Sequence, residues 1–156
     1  NNSNNPANCV KKSDFWIQPK SMISSIPFKP DLIIAIGGGG LIPSRIMRSV
    51  IKKPIYTISV SCYDENDNRV EEPIINQWFE NNDIIKSKKI LIVDEVDDTR
   101  KTISFLLPKI KNLEPEEICI SVIHNKTKKK EKGCTEPLYG EKSKCIINTI
   151  WCARWF

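Results

Sequence analysis

Short apolar runs alternate with polar stretches and divide the chain into strand-sized and helix-sized pieces. A continuous apolar run at residues 32–36, and another at 90–93 within the segment 88–96, predict strands that are buried on both faces of a sheet. Apolar, β-branched runs at 54–60 and 116–123 predict two more strands, and a last one is expected within 145–156.

Helical spacing appears between these strands. A first helix is predicted over residues 42–53, with a core-facing apolar face made of Ile42, Ile46, Met47 and Val50. A second helix is predicted after the strand at 88–96, with Asp98 or Thr99 as its cap. Pro108 should kink this helix or end it early, because proline lacks the backbone donor that a helix needs.

The order of these elements predicts an α/β fold with a mostly parallel sheet flanked by helices. We assign residues 14–156 to a single domain and residues 1–13 to a flexible, Asn-rich tail. Residues 61–83 are polar, acidic and long, so we predict a functional loop there. In such sheets, ligands bind beyond the carboxyl ends of the strands.

Composition narrows the class of protein. Apolar residues make up 40% of the chain and charged residues 28%, which is typical of a soluble globular domain. No apolar run approaches the roughly 20 residues that a membrane span needs, so we predict no membrane partner. The six cysteines show neither CxxC nor zinc-finger spacing, so we predict free thiols and a cytoplasmic location.

The net charge of +5 is locally concentrated. Residues 125–132 contain five lysines and one glutamate, which indicates either a solvated loop or a field that attracts phosphorylated ligands. No aromatic residues alternate with these lysines and no recognition-helix signature is present, so we predict no nucleic-acid partner.

Four consecutive glycines, Gly37, Gly38, Gly39 and Gly40, follow the first predicted strand and open the first helix. A tight turn alone needs fewer glycines, so the backbone here should approach another group closely, adopt positive φ, or do both. Backbone N–H groups in such a turn form an anion site. Neither a dinucleotide fingerprint nor a Walker A motif matches the spacing.

Four acidic residues end the strand at 88–96, in the stretch KILIVDEVDDTRKTI at residues 89–103. Because four unpaired charges cannot all be buried in a core, this segment should lie at a cleft or surface. Carboxylates at such a strand end can hold Mg²⁺ or accept hydrogen bonds from sugar hydroxyls. The following Asp-Asp-Thr-Arg-Lys-Thr offers N–H groups, hydroxyls and cations for a phosphate, so the combination suits a sugar phosphate.

The same stretch strongly resembles the signature of type I phosphoribosyltransferases, which bind phosphoribosyl pyrophosphate (PRPP). FKPDLIIAIGGGGLIPSRIMRSVIKKP, residues 28–54, is similar to the purine-salvage members that act on hypoxanthine, guanine or xanthine. The yeast-like branch shares the tetraglycine and has Asp-Thr-Arg in place of the usual Asp-Thr-Gly. The resemblance implies the type I phosphoribosyltransferase fold with a small base-binding hood.

The resemblance also implies roles for the acidic and glycine motifs. Asp94 and Glu95 would bind the ribose hydroxyls of PRPP, directly or through the cofactor Mg²⁺, and Asp98 would be the catalytic base. The 5′-phosphate site would be formed by Asp98, Thr99, Arg100, Lys101 and Thr102. Gly37–Gly40 would form the pyrophosphate loop, where many relatives have a basic residue that this chain lacks.

The remaining expected site residues lie in the lid and around the base. Ser61 and Tyr63 match the Ser-x-Tyr of the mobile catalytic loop. Lys126 would bind the 6-oxo group, and Trp151 and Trp155 would stack on the purine. The resemblance further implies a dimer or tetramer. These residues are compatible with two functions. The protein is either an enzyme that transfers 5-phosphoribosyl to N9 of a 6-oxopurine, or a non-catalytic regulator that binds PRPP or a nucleotide.

Overall fold

The structure is a computed structural model, and it describes residues 23, 26–66, 68–125 and 146–148. Within these residues the chain forms two helices and one six-stranded sheet. The strands are β1 (Leu32–Ile36), β2 (Ile55–Tyr63), β3 (Arg69–Gln77), β4 (Lys89–Asp97), β5 (Glu117–Asn125) and β6 (Ile146–Asn148). The helices are α1 (Gly37–Ile51) and α2 (Lys101–Lys111), and a short 3-10 helix spans Asn82–Ile84.

The sheet has the strand order β3-β2-β1-β4-β5-β6. Every neighbouring pair is parallel except β2–β3, which is antiparallel. Parallel neighbours need a crossover connection, and α1 supplies it between β1 and β2 while α2 supplies it between β4 and β5. The predicted α/β architecture with a mostly parallel sheet is therefore confirmed.

Alternate residues of the central strands face two separate cores. On one face, α1 contributes Met47 to a cluster with Ile33, Leu91 and Val93. On the other face, α2 contributes Ile103, Leu106, Leu107 and Ile110 to a larger cluster with Ile34 and Ile92. All five residues of β1 are buried, which matches its continuous apolar sequence.

The predicted apolar face of the first helix is wrong apart from Met47. Ile42 is 68% exposed and Val50 is 46% exposed, and Ile46 is only half-buried. The sheet-facing side is instead made of Gly40, Pro43, Ser44 and Met47. Gly40 faces the sheet because the start of α1 approaches the backbone of β4 closely at this residue.

Residues 61–83 do not form the predicted long loop. β2 continues to Tyr63, and after a tight turn β3 returns antiparallel to it, so most of the segment is a β-hairpin. The carboxylate of Asp64 closes the turn by accepting hydrogen bonds from the N–H groups of Asn66 and Asn68 at 2.8 and 2.9 Å. These bonds lower the pKa of Asp64, because they stabilise its charged form.

The second helix differs from its prediction at its N-cap, and it is not ended early by Pro108. Its N-cap is Arg100, which makes no side-chain capping bond, and not Asp98 or Thr99. Pro108 lies inside the helix, which continues to Lys111. The helix tolerates Pro108 in its last turn, where the Pro108 carbonyl still accepts a hydrogen bond from Asn112 N–H at 3.0 Å. Neither described helix is long and apolar enough to cross a membrane.

Candidate active site

The glycine turn and the acidic segment meet at one edge of the sheet. They follow β1 and β4, which are adjacent and parallel, with Ala35 paired to Val93. Both motifs therefore lie at the carboxyl ends of neighbouring strands, as the sequence predicted. The tetraglycine is not a separate loop, because α1 begins at Gly37 and the four glycines form its first turn.

Two of the four glycines, Gly37 and Gly40, have a backbone reason for lacking a side chain. Gly37 has φ +53°, a conformation that other residues rarely adopt. A Cβ on Gly40 would lie 2.5 Å from the carbonyl oxygen of Val93, and a Cβ on Gly39 would collide with the carboxyl group of Glu95. Gly38 has open space around its Cα. The expected positive φ and close approach are both confirmed.

Asp94 and Glu95 form an acidic pair at this turn. Asp94 is buried with 7% of its surface exposed, whereas Glu95 is exposed. The N–H of Glu95 donates to Oδ1 of Asp94 at 2.9 Å. Burial, together with a hydrogen bond to the Glu95 side chain and its negative charge, raises the pKa of Asp94 to about 9.

The two side chains of the second pair of acids differ in burial. Asp97 is buried, with 2% exposed, and Asp98 is half-buried. The sequence predicted a cleft or surface for all four acids, yet two of the four are buried. Asp97 tolerates burial because the Arg100 guanidinium lies against it, with Nε and Nη2 each donating to Asp97 Oδ2 at 2.9 Å.

A bend at residues 98–100 leads into α2, and we call the bend together with the first two helical residues (98–102) the phosphate turn. Arg100 adopts a left-handed conformation with φ 69°, and α2 begins at the next residue. The first backbone N–H groups of a helix lack intrahelical partners and favour anions. The first turn of α2 carries no acidic residue that would compete for them.

The hairpin touches the phosphate turn at two points. Lys101 Nζ donates to the Val70 carbonyl at 2.8 Å, and Cys62 Sγ lies 3.8 Å from Thr102 Oγ1. Ser61 and Tyr63, the predicted lid residues, flank Cys62 at the end of β2. Ser61 Oγ donates to the Tyr63 carbonyl at 2.6 Å, and the Tyr63 side chain is 56% exposed.

The predicted base-binding residues Lys126, Trp151 and Trp155 lie outside the described residues. The backbone of β5 ends beside the acidic segment, since Asn125 pairs with Asp97.

The acidic pair fits a hard divalent cation, because exposed carboxylate oxygens are ligands that Mg²⁺ accepts. Two adjacent carboxyl groups, one of them exposed, provide such oxygens here. Among the described residues, no group of three or more His, Cys, Asp or Glu side chains is positioned to hold a metal ion.

Sequence reasoning missed two contacts of the site. The Asp97–Arg100 pair had a signal, because opposite charges stand three residues apart. The Lys101–Val70 bond had none, since Val70 contributes only its backbone carbonyl. Both contacts involve residues of the phosphate turn or its immediate neighbour.

A parallel sheet with a glycine turn, an acidic pair and a phosphate turn at one edge is the arrangement of a phosphoribosyltransferase. The phosphoribosyl transferase domain model matches residues 7–148, so the chain belongs to this family. The chain is 40% identical over 161 residues to xanthine phosphoribosyltransferase 1 of Saccharomyces cerevisiae, covering 81% of this chain and 77% of that protein.

Two further proteins support the same family. Hypoxanthine-guanine phosphoribosyltransferase of Schizosaccharomyces pombe is 40% identical over 131 residues, which cover 66% of this chain and 64% of that protein. A purine phosphoribosyltransferase from Pyrococcus horikoshii has a solved structure with a TM-score of 0.61 and 32% identity, covering 74% of each chain. The fold is thus that of the type I phosphoribosyltransferases.

Proposed function

We propose that the protein transfers a 5-phosphoribosyl group from PRPP to N9 of a 6-oxopurine and releases pyrophosphate. The base would be hypoxanthine, guanine or xanthine, and the products IMP, GMP or XMP. The observation that carries the proposal is the contact between the glycine turn and Glu95, with the phosphate turn starting three residues later. Sites for the pyrophosphate, the ribose and the 5′-phosphate then lie in the order in which PRPP carries these groups.

Asp94 and Glu95 are assigned to the ribose hydroxyls. Their carboxyl oxygens accept hydrogen bonds from hydroxyl groups, and the negative charge of Glu95 favours a ribose ring that becomes positive as pyrophosphate leaves. The same oxygens would hold Mg²⁺, with or without PRPP between them. When bound, Mg²⁺ neutralises the charge of the leaving pyrophosphate.

The glycine turn and the phosphate turn are assigned to the two phosphate ends of PRPP. Both begin helices, so both offer backbone N–H groups and the positive end of a helix dipole. The glycine turn has no basic side chain of its own, so backbone N–H groups, the cation of the substrate or a nearby side chain such as Arg45 must meet the pyrophosphate charge.

Asp98 is assigned as the base that takes the proton from the purine. It is the first residue of the phosphate turn and follows the acidic pair by three positions, and it is half-buried with its Oδ1 enclosed by the protein. The hairpin with Ser61 and Tyr63 is assigned as the lid that excludes water, which would otherwise hydrolyse PRPP. Lys126, Trp151 and Trp155 remain our candidates for holding the purine.

The proposal also covers the ligands, the cellular location and the oligomeric state of the protein. We expect Mg²⁺, PRPP and a purine base as its ligands, a cytoplasmic location, and a dimer or tetramer. Leu41, Ile42 and Val50 expose apolar surface on α1 and are the first place to look for a subunit contact.

The test is a product assay with PRPP and Mg²⁺, in which hypoxanthine, guanine, xanthine and adenine are supplied in turn. We expect a nucleoside monophosphate from at least one 6-oxopurine and none from adenine. No product with any base, together with binding of PRPP, would instead favour a non-catalytic regulator. If the protein forms no product and also does not bind PRPP, the proposed function is refuted.

A further inference from the structure

Arg100 has an unusual place in the phosphate turn. Its backbone is left-handed, with φ 69° and ψ 5°, directly before the first residue of α2. This conformation is unfavourable for a residue with a Cβ, so a local interaction must hold it.

The side chain of Arg100 supplies that interaction. It is almost completely buried and turns back toward the end of β4, where Nε and Nη2 both bond to Oδ2 of Asp97. Exposed fractions are 9% for the Arg100 side chain and 2% for that of Asp97. Removing one partner of such a buried pair leaves an uncompensated charge, so the two side chains hold each other in place.

The Asp97–Arg100 ion pair closes around two residues that have roles in the proposed reaction. Asp98 and Thr99 lie between Asp97 and Arg100, so the ion pair closes a small loop around the candidate base and the first residue of the phosphate turn. The pair also cancels the charge of Asp97, which would otherwise oppose an incoming phosphate from just below the turn.

We propose that Arg100 is a positioning residue that shapes the 5′-phosphate site through Asp97, with its guanidinium not bonded to the phosphate. This inference rests on the proposed function, because it takes residues 98–102 as the 5′-phosphate site.

A double-mutant cycle tests it with R100A, D97N and the double variant D97N/R100A. Binding of PRPP and of a nucleoside 5′-monophosphate is measured by calorimetry, and KM is measured separately for PRPP and for the purine. R100A should raise KM for PRPP by about 10- to 100-fold through displacement of the turn, while KM for the purine changes little. K111A removes one cation from the exposed end of the same helix and serves as the control.

The double variant distinguishes positioning from direct contact. Once Asp97 is neutral, no buried charge is left for Arg100 to compensate, so R100A should cost much less in the D97N background than alone. Equal losses in the two backgrounds would mean that Arg100 bonds to the phosphate, and would overturn the inference. Unchanged PRPP binding in R100A would overturn it as well.

Folding is checked by circular dichroism and melting temperature. If R100A does not fold, the inference is tested with R100K and D97N/R100A. R100K keeps the charge but loses the planar fork, so it should weaken PRPP binding relative to wild type, and by less than R100A where that variant folds. A folded D97N/R100A that binds PRPP far more weakly than D97N would contradict the inference. Failure of the wild-type chain to bind PRPP or a monophosphate would refute the proposed function too, whereas equal binding by wild type and R100A refutes only the role of Arg100.

Discussion

The ammonium group of Lys101 donates a 2.8 Å hydrogen bond to the backbone carbonyl of Val70, which joins the phosphate turn to the β2–β3 hairpin. The substitution K101M removes this donor and keeps the length of the side chain. Because a hydrogen bond from a charged donor is lost, amide hydrogen exchange in β3 should accelerate by about tenfold or more. K109M is the control, since Lys109 belongs to the same helix but lies over the Phe105 ring. Equal exchange in K101M and wild type would show that other contacts hold the hairpin.

A pair of glycine substitutions tests the contact between α1 and β4. G40A should destabilise the protein by about 1–3 kcal/mol, because its Cβ meets the backbone oxygen of Val93, which cannot move aside like a side chain. G38A adds the same methyl group where nothing lies within 4 Å, so it should be neutral or slightly stabilising. Urea denaturation measures both. A G40A variant as stable as G38A would mean that the helix does not approach the strand this closely.

The assignment of Asp98 as the base predicts a selective loss of rate. D98N keeps the size of the side chain but cannot take a proton, so kcat should fall by about 10²- to 10⁴-fold. Binding of the product nucleotide should change far less. D83N makes the same substitution at an exposed position in the 3-10 helix and should leave both quantities as they are. Parallel losses of kcat and nucleotide affinity in D98N would assign it to binding and not to proton transfer.

The acidic pair predicts a pH dependence of stability in the metal-free protein. The pKa of Asp94 is raised from 3.8 to about 9 on folding, so between these values the folded protein holds a proton that the unfolded chain has released. The unfolded state then binds fewer protons, and the contribution of Asp94 to the free energy of unfolding falls as pH rises through this range.

Urea denaturation across this pH range, with a chelator present, measures the effect. D94N should remove that contribution and flatten the profile, because an amide does not titrate. E80Q, at an exposed acid of the polar segment, should keep the wild-type slope. Profiles of equal slope in D94N and wild type would show that Asp94 is ionised in the folded protein.

The buried strands were predictable because their sequences are continuously apolar. Residues 32–36 and 90–93 cannot avoid the interior, and the chemistry at their ends follows from the parallel sheet. The glycines were also informative, since only close approach or positive φ explains so many at one turn. The apolar positions of α1 misled the prediction, because Gly40 must face β4 and this fixes the rotation of the helix.

The hairpin was not predictable from apolar alternation. β3 is an edge strand with only Pro73 buried, and most of its other side chains are exposed, so its sequence looks like a polar loop. The Asp97–Arg100 pair depends on the left-handed backbone of Arg100, and the Lys101–Val70 bond depends on a tertiary contact between the turn and the hairpin. Neither is encoded by residue type alone.

The carboxyl group of Glu95 lies against Gly39, and its charge affects which anions can bind at the glycine turn. A bare inorganic phosphate that approaches the glycine turn meets a carboxyl group already lying against it, and like charges repel. An anion that arrives with its own divalent cation turns the same carboxylate into an attraction. On the proposed assignment of this turn to pyrophosphate, Glu95 would favour an anion that carries a divalent cation over free phosphate.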